Sequence, residues 1–119
     1  MKNTGKLNLK PENVFYYFEQ LAAIPHGSRN TKQISDYLVS FAKEQGLEYY
    51  QDEANNVVMI AEATKGYENA EPIIIQGHMD MVCEKESGYD IDFEKDGLKL
   101  YVDGDFLKAE GTTLGGDDG

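Results

Sequence analysis

No stretch of this 119-residue chain approaches the ~20 consecutive apolar residues that a helix needs to cross a bilayer, so no membrane-spanning role is expected. The first ten residues, Met1 to Lys10, are polar, carry three lysines and lack the apolar core of a secretory signal. Cysteine is nearly missing too. Cys83 stands alone, which excludes an internal disulfide framework and fits a reducing compartment, so cytoplasm is the expected location. Positive charge is scarce, with 11 basic residues against 22 acidic ones and a net charge of −11. Residues 80–119 alone hold 12 acids and 4 lysines. Such a surface repels phosphate backbones and argues against a nucleic-acid partner. Clustered carboxylates suit hard or borderline cations, although most of these acids need do no more than keep a surface soluble. There is no internal repeat, low-complexity tract or linker.

What is present is an ordinary globular composition, 40% hydrophobic and 28% charged, in a length that suits one domain. Pro11 and Glu12 open a helix expected over roughly 11–23, with Val14, Phe18, Leu21 and Ala22 at helical spacing and Pro25 ending it. After the loop 25–30, Asn30 or Thr31 is positioned to cap a second helix. Its apolar stripe is Ile34, Tyr37, Leu38, Phe41 and Ala42, and Gly46 sits where a left-handed terminator belongs. The period then changes. Leu47–Gln51 and Val57–Ala61 read as strands around the turn 52–56. Leu98–Val102 and Phe106–Ala109 read as a hairpin about Asp103-Gly104, a register that pairs Val102 with Asp105 and Leu100 with Leu107. Residues 84–96 form a charged connection without clear periodicity. Helices and strands in one chain make the expected class α/β.

The chemistry concentrates around residues 73–82. Ile73, Ile74 and Ile75 are β-branched and read as a short strand buried on both faces, with Gly77 ending the run. His78 and Asp80 follow, and the period of two in extended backbone points both to one side. A neutral imidazole is a good zinc ligand, and a nearby carboxylate can hold its other ring nitrogen in the required tautomer. A satisfied histidine at a strand end would show the same spacing. The Gly/Asp-rich stretch 111–119 places Asp117 and Asp118 among four glycines, where backbone approaches something closely. Asp117 could bridge two cations, which typically lie about 3.5–4 Å apart; a solvated loop is the plainer reading of that segment alone. His26, in the loop between the helices, is the one other imidazole and could be a second ligand, although a helix-linking loop is a poor place to expect one.

Three segments together resemble the N-terminal part of the aminoacyl-histidine dipeptidases, carnosinase-like enzymes of the aminoacylase/carboxypeptidase family of co-catalytic zinc peptidases. They are Ile24-Pro25-His26-Gly27-Ser28 with Asp36-Tyr37-Leu38; Gln76-Gly77-His78-Met79-Asp80-Met81-Val82-Cys83-Glu84-Lys85; and Gly111-Thr112-Thr113-Leu114-Gly115. Their order and spacing agree with the family over nearly the whole chain.

The resemblance implies part of a three-layer αβα catalytic domain with a mixed central sheet, spanning residues 1–119 without the lid domain that also serves dimerisation in relatives. His78 would bind one of two zinc ions, with cobalt or manganese as alternatives. Asp80 would be the catalytic carboxylate that orients its imidazole, and Asp117 would bridge the metals; His26 has no ligand role in that family. The family usually reads Gly-Ala-Asp-Asn-Gly around the bridging aspartate, commonly with a cis peptide after it. Here Gly116 and Asp118 take the places of the alanine and asparagine. The family's general-base glutamate and its other metal ligands match positions beyond Gly119, so the chain is expected to be a fragment, inactive by itself. The resemblance implies a homodimer for the complete enzyme, and its implied substrate is a small peptide of the Xaa-His type. A related zinc hydrolase acting on N-acyl amino acids or tripeptides, or an inactive metal-binding module, are the alternatives.

Overall fold

The structure, a computed structural model, describes residues 5–118. Met1–Thr4 of the polar N-terminal stretch, and Gly119, lie outside the described residues. Helix α1 runs Glu12–Ala22, with Pro11 in extended conformation as its N-cap. Helix α2 runs Lys32–Glu44 from Thr31. Its stop is the one the sequence indicates. Gly46 takes φ 69°, its N–H donates to the Lys43 carbonyl, and the Leu47 N–H donates back to the Ala42 carbonyl, a Schellman pairing that satisfies the last carbonyls.

The helical stripe is buried through Ile34, Val39 and Ala42, with Tyr37, Leu38 and Phe41 half-buried beside them. Ser35 is also fully buried. Its hydroxyl donates to the Asn55 carbonyl and accepts from Gln51 Nε2, so a polar group on an apolar face keeps its partners. Those bonds tie α2 to an antiparallel hairpin, β1 Glu48–Gln51 and β2 Val57–Ile60. Asp52 shapes the turn between them by accepting from the backbone N–H of Ala54 and of Asn56 and from the Asn56 side chain. Tyr17 of α1 meets Phe41 of α2 edge to face at 5.4 Å.

The second hairpin, β3 Leu100–Asp103 and β4 Phe106–Ala109, forms in a register two residues away from the expected one. Val102 faces Leu107 and Leu100 faces Ala109. The reason is the turn. Gly104, with φ 60°, occupies the first central position and Asp105 the second, so Asp103 and Phe106 close the strands. A turn with positive φ at its first central residue alone is type II′, which favours glycine there; the Asp-Gly reading presupposed type I′. The shift puts Tyr101 rather than Lys99 opposite Lys108, whose Nζ donates to Asp103 at 2.7 Å.

The strand expected at 73–76 is not formed. Ile73, Ile74 and Ile75 are 87%, 90% and 96% exposed, and no strand among the described residues lies alongside them. A β-branched run becomes a doubly buried strand only where neighbours supply hydrogen bonds and cover both faces. The pairing occurs a little later in the chain. Met81 bridges Gly27 in parallel, and Lys85 bridges Thr112 in antiparallel fashion. The segment 81–86 thus lies between 26–28 and 111–113, mixed in direction as the resemblance implies, but as isolated bridges. Met81, 4% exposed, joins Ala22, Ile34, Val39 and Ala42 as the buried apolar residues. The Cα radius of gyration, 16.2 Å, exceeds the roughly 13.5 Å expected of a compact chain this long, in keeping with so small a core.

Candidate functional site

The bridges just described bring three distant segments to one cleft of about 380 Å³, within the range of small-ligand sites. Ser28, His78, Asp80, Thr113, Leu114 and Asp117 line it. Thr113 fixes the third segment to the second: its N–H donates to the Glu84 carbonyl, and its hydroxyl donates to the Val82 carbonyl at 2.6 Å.

His78 stands half-exposed in this cleft. Its Nδ1 lies 2.9 Å from the Asp80 carbonyl oxygen and 3.1 Å from Asp80 Oδ1. Both partners are acceptors, so Nδ1 carries a proton. Asp80 is held in turn by Ser28, whose hydroxyl donates to Oδ2 at 2.5 Å. That bond, ahead of the nearby imidazole, holds the Asp80 carboxyl below its ordinary pKa. On the other side of the ring, His78 Nε2 is 3.2 Å from Asp117 Oδ2. The hydrogen bond to Asp117, and after it the Asp80 backbone, raise the His78 pKa above its ordinary value.

The three residues singled out in the sequence therefore meet, Asp80 behind the imidazole and Asp117 in front of it. The spacing suits two ligands of one cation. Bonds of about 2.0–2.1 Å at a tetrahedral angle put two donor atoms roughly 3.3–3.4 Å apart. The set is small, however. Among the described residues no group of three or more His, Cys, Asp or Glu side chains is gathered as a metal ion would need. The Asp117–Asp118 peptide is not cis; among the described residues only Lys10–Pro11 is.

No family model matches the chain. It is 40% identical over 111 residues to a cytosol non-specific dipeptidase of Escherichia coli K12, a match covering 93% of this chain and 23% of that protein. Its fold superposes on the crystal structure of an aminoacylhistidine dipeptidase from Vibrio alginolyticus with a TM-score of 0.86 at 38% identity, covering 92% of this chain and 22% of the other. The chain matches part of an aminoacylhistidine dipeptidase. It spans less than a quarter of the length of these dipeptidases, and its α/β elements are those of a fragment of their fold.

In this dipeptidase-like chain one contact has no local signal in the sequence. His26, 4% exposed, faces Asp118 rather than the cleft. Its Nε2 is 2.7 Å from Asp118 Oδ2, and its Nδ1 is 2.6 Å from the Ile24 carbonyl oxygen. Both partners accept, so the ring carries both protons. Burial opposes that charge, but the bonds to Asp118 and Ile24 outweigh it and hold the His26 pKa above its ordinary value. Burial likewise pushes Asp118 upward, and the separate bonds it accepts from His26 and from the Gly116 N–H overcome that, leaving the carboxyl below its ordinary range. The signal available in the sequence was a histidine next to Pro25 and Gly27; its partner lies at the far end of the chain. Cys83, partly buried with its thiol pKa pushed up by that burial and then by Glu84, is not an activated nucleophile. No described helix is long and apolar enough to cross a membrane.

Proposed function

We propose that this chain contributes part of the active site of a metal-dependent dipeptidase that cleaves Xaa-His peptides, as the N-terminal part of its catalytic domain. The observation that carries the reading is the convergence of His78 Nε2 and Asp117 Oδ2 to 3.2 Å in an open cleft, with Asp80 behind the imidazole. The dipeptidase names of both relatives support peptide hydrolysis, and the word cytosol in one of them supports a cytoplasmic location.

His78 and Asp117 would hold zinc, or cobalt or manganese on the same donors, and the bridging role of Asp117 is what the resemblance implies. A bound metal of this kind supplies Lewis acidity toward a peptide carbonyl. The chain's own residues do the preparatory work. Asp80 holds the Nδ1–H of His78, so that Nε2 would give its lone pair to a metal once the proton it shares with Asp117 is released. Ser28 fixes Asp80. The proton-transferring group and the remaining ligands come from elsewhere in the protein, because one imidazole and one carboxylate fall short of the three protein ligands of a catalytic zinc. Homodimerisation belongs to the complete protein on this reading, and the substrate is a small peptide rather than a nucleic acid.

The test compares the protein that carries this chain, loaded with zinc, on Xaa-His dipeptides, tripeptides and N-acetyl amino acids. Selective dipeptide hydrolysis, lost together with one zinc in His78→Ala, is the expected result. Full turnover with two bound zincs in that variant would overturn the assignment. Preference for N-acetyl amino acids or tripeptides would transfer it to a related hydrolase.

A further inference from the structure

We propose that the segment 24–28 is a positioning clamp for the site, with His26 as its central residue: the buried His26–Asp118 bond sets where Asp117 stands relative to His78. The inference rests on the metal-ligand reading of those two side chains.

The geometry is that of one short segment reaching both halves of the cleft. Toward the middle of the chain, the His26 carbonyl accepts from the Met81 N–H at 2.9 Å and the Ser28 N–H donates to the Met81 carbonyl at 3.2 Å. The Ser28 hydroxyl then holds Asp80, which holds His78. Toward the C-terminal segment, His26 Nε2 holds Asp118 Oδ2, and Asp118 Oδ1 accepts from the Gly116 N–H at 2.9 Å. Asp118 is thereby bonded on both oxygens and buried, whereas its neighbour Asp117 is 78% exposed. The side-chain bond of Asp117 among the described residues is the one to His78. Its position therefore depends on the backbone that Asp118 anchors.

Packing alone does not account for the pair. Taking an imidazole and a carboxylate out of water costs several kcal/mol each, and apolar residues of similar volume often stabilise such a place as well or better. What the polar pair adds is direction. Two bonds from one rigid ring fix the distance between residues 24 and 118, and residue 117 moves with its neighbour. Gly115 makes the closeness possible, since a Cβ there would lie 2.5 Å from Asp118 Oδ1.

The experiment uses the protein that carries this chain in three forms, wild type, His26→Leu and His26→Gln, the glutamine amide being able to donate from near the place of Nε2. Two signals are read by nuclear magnetic resonance: amide hydrogen exchange at Gly116 without metal, and the His78 imidazole shifts as zinc chloride is added. In His26→Leu, Gly116 should exchange at least tenfold faster and zinc should bind about tenfold more weakly, the low end of what supporting residues around a metal contribute. Exchange at Ser35, whose N–H donates to Thr31 within α2, should stay unchanged. His26→Gln should recover most of both signals. Wild-type protection of Gly116 in His26→Leu would overturn the clamp, as would an equal loss of protection at Ser35, which would mark a general packing role. If His26→Leu does not fold, His26→Met, which fills a similar volume without an N–H donor, is read in the same way and decides between the same outcomes. Failure of zinc to move the wild-type His78 signals would instead refute the metal reading, leaving the Gly116 exchange to judge the clamp.

Discussion

Replacing Asp80 by alanine removes two bonds at once, Oδ1 to His78 Nδ1 at 3.1 Å and Oδ2 to the Ser28 hydroxyl at 2.5 Å. Loss of a group that orients a metal-bound histidine typically weakens metal affinity by about 10–100-fold, or roughly 1.4–2.7 kcal/mol. Three features of the structure select the low end. Asp80 and His78 are 40% and 51% exposed, so water competes for the same bonds. The Asp80 carbonyl, 2.9 Å from Nδ1, survives the substitution and still favours the useful tautomer. Nothing else facing Nδ1 is removed. About tenfold weaker zinc binding is therefore expected for Asp80→Ala, measured by titrating zinc into the histidine-labelled chain and following the His78 ring nitrogens. Asp80→Asn should lose less. The Ser28 hydroxyl can rotate to accept from the new amide NH₂, which leaves the amide oxygen facing His78. Zinc binding by Asp80→Ala as tight as that of wild type would refute the reasoning, and so would a larger loss for asparagine than for alanine.

Two further outcomes concern stability. Ile34 is 1% exposed and Val14 61%, so Ile34→Ala should cost about 2–5 kcal/mol in urea unfolding while Val14→Ala stays within about 0.5 kcal/mol; similar losses at both sites would refute the assignment of the core to α2. The Asp52 carboxyl is held below its ordinary pKa by the Asn56 side chain and the Asn56 and Ala54 N–H groups. Its contribution is present above the ordinary value of 3.8 and is lost as pH falls through the depressed folded value. The gap in urea midpoint between wild type and Asp52→Ala should accordingly be open at neutral pH and closed in strong acid, and an unchanged gap would exclude ionic character in that turn.

The two helices and both hairpins were legible because each is written in local patterns: apolar residues at helical spacing in α2, Gly46 after it, and β-rich runs flanking polar turns. The second hairpin's register lies two residues from the expected one because the dipeptide Asp103-Gly104 suggests one turn while the chain uses Gly104-Asp105. The isoleucine run shows a different limit. Its composition records a preference for being covered, and composition cannot say what does the covering. His78 and Asp80 stand out together through their spacing, whereas Asp117 is only a candidate in a Gly/Asp loop until the resemblance is added, since nothing local ties it to a histidine 39 positions away. His26 was underrated for the same reason. A loop histidine looks idle until the far end of the chain supplies Asp118.

The cleft's hydrogen bonds join positions far apart along the chain, Ser28 with Asp80 and His26 with Asp118, while the helices and hairpins close over a few residues each. Long loops are entropically slower to close than short ones, so the local elements mature first and the centre assembles last. The same separation lets the centre open without the local elements opening with it. Fluctuations that free residues 115–118 need not melt α2, and a reactive surface is in this way allowed to breathe on a frame that stays folded.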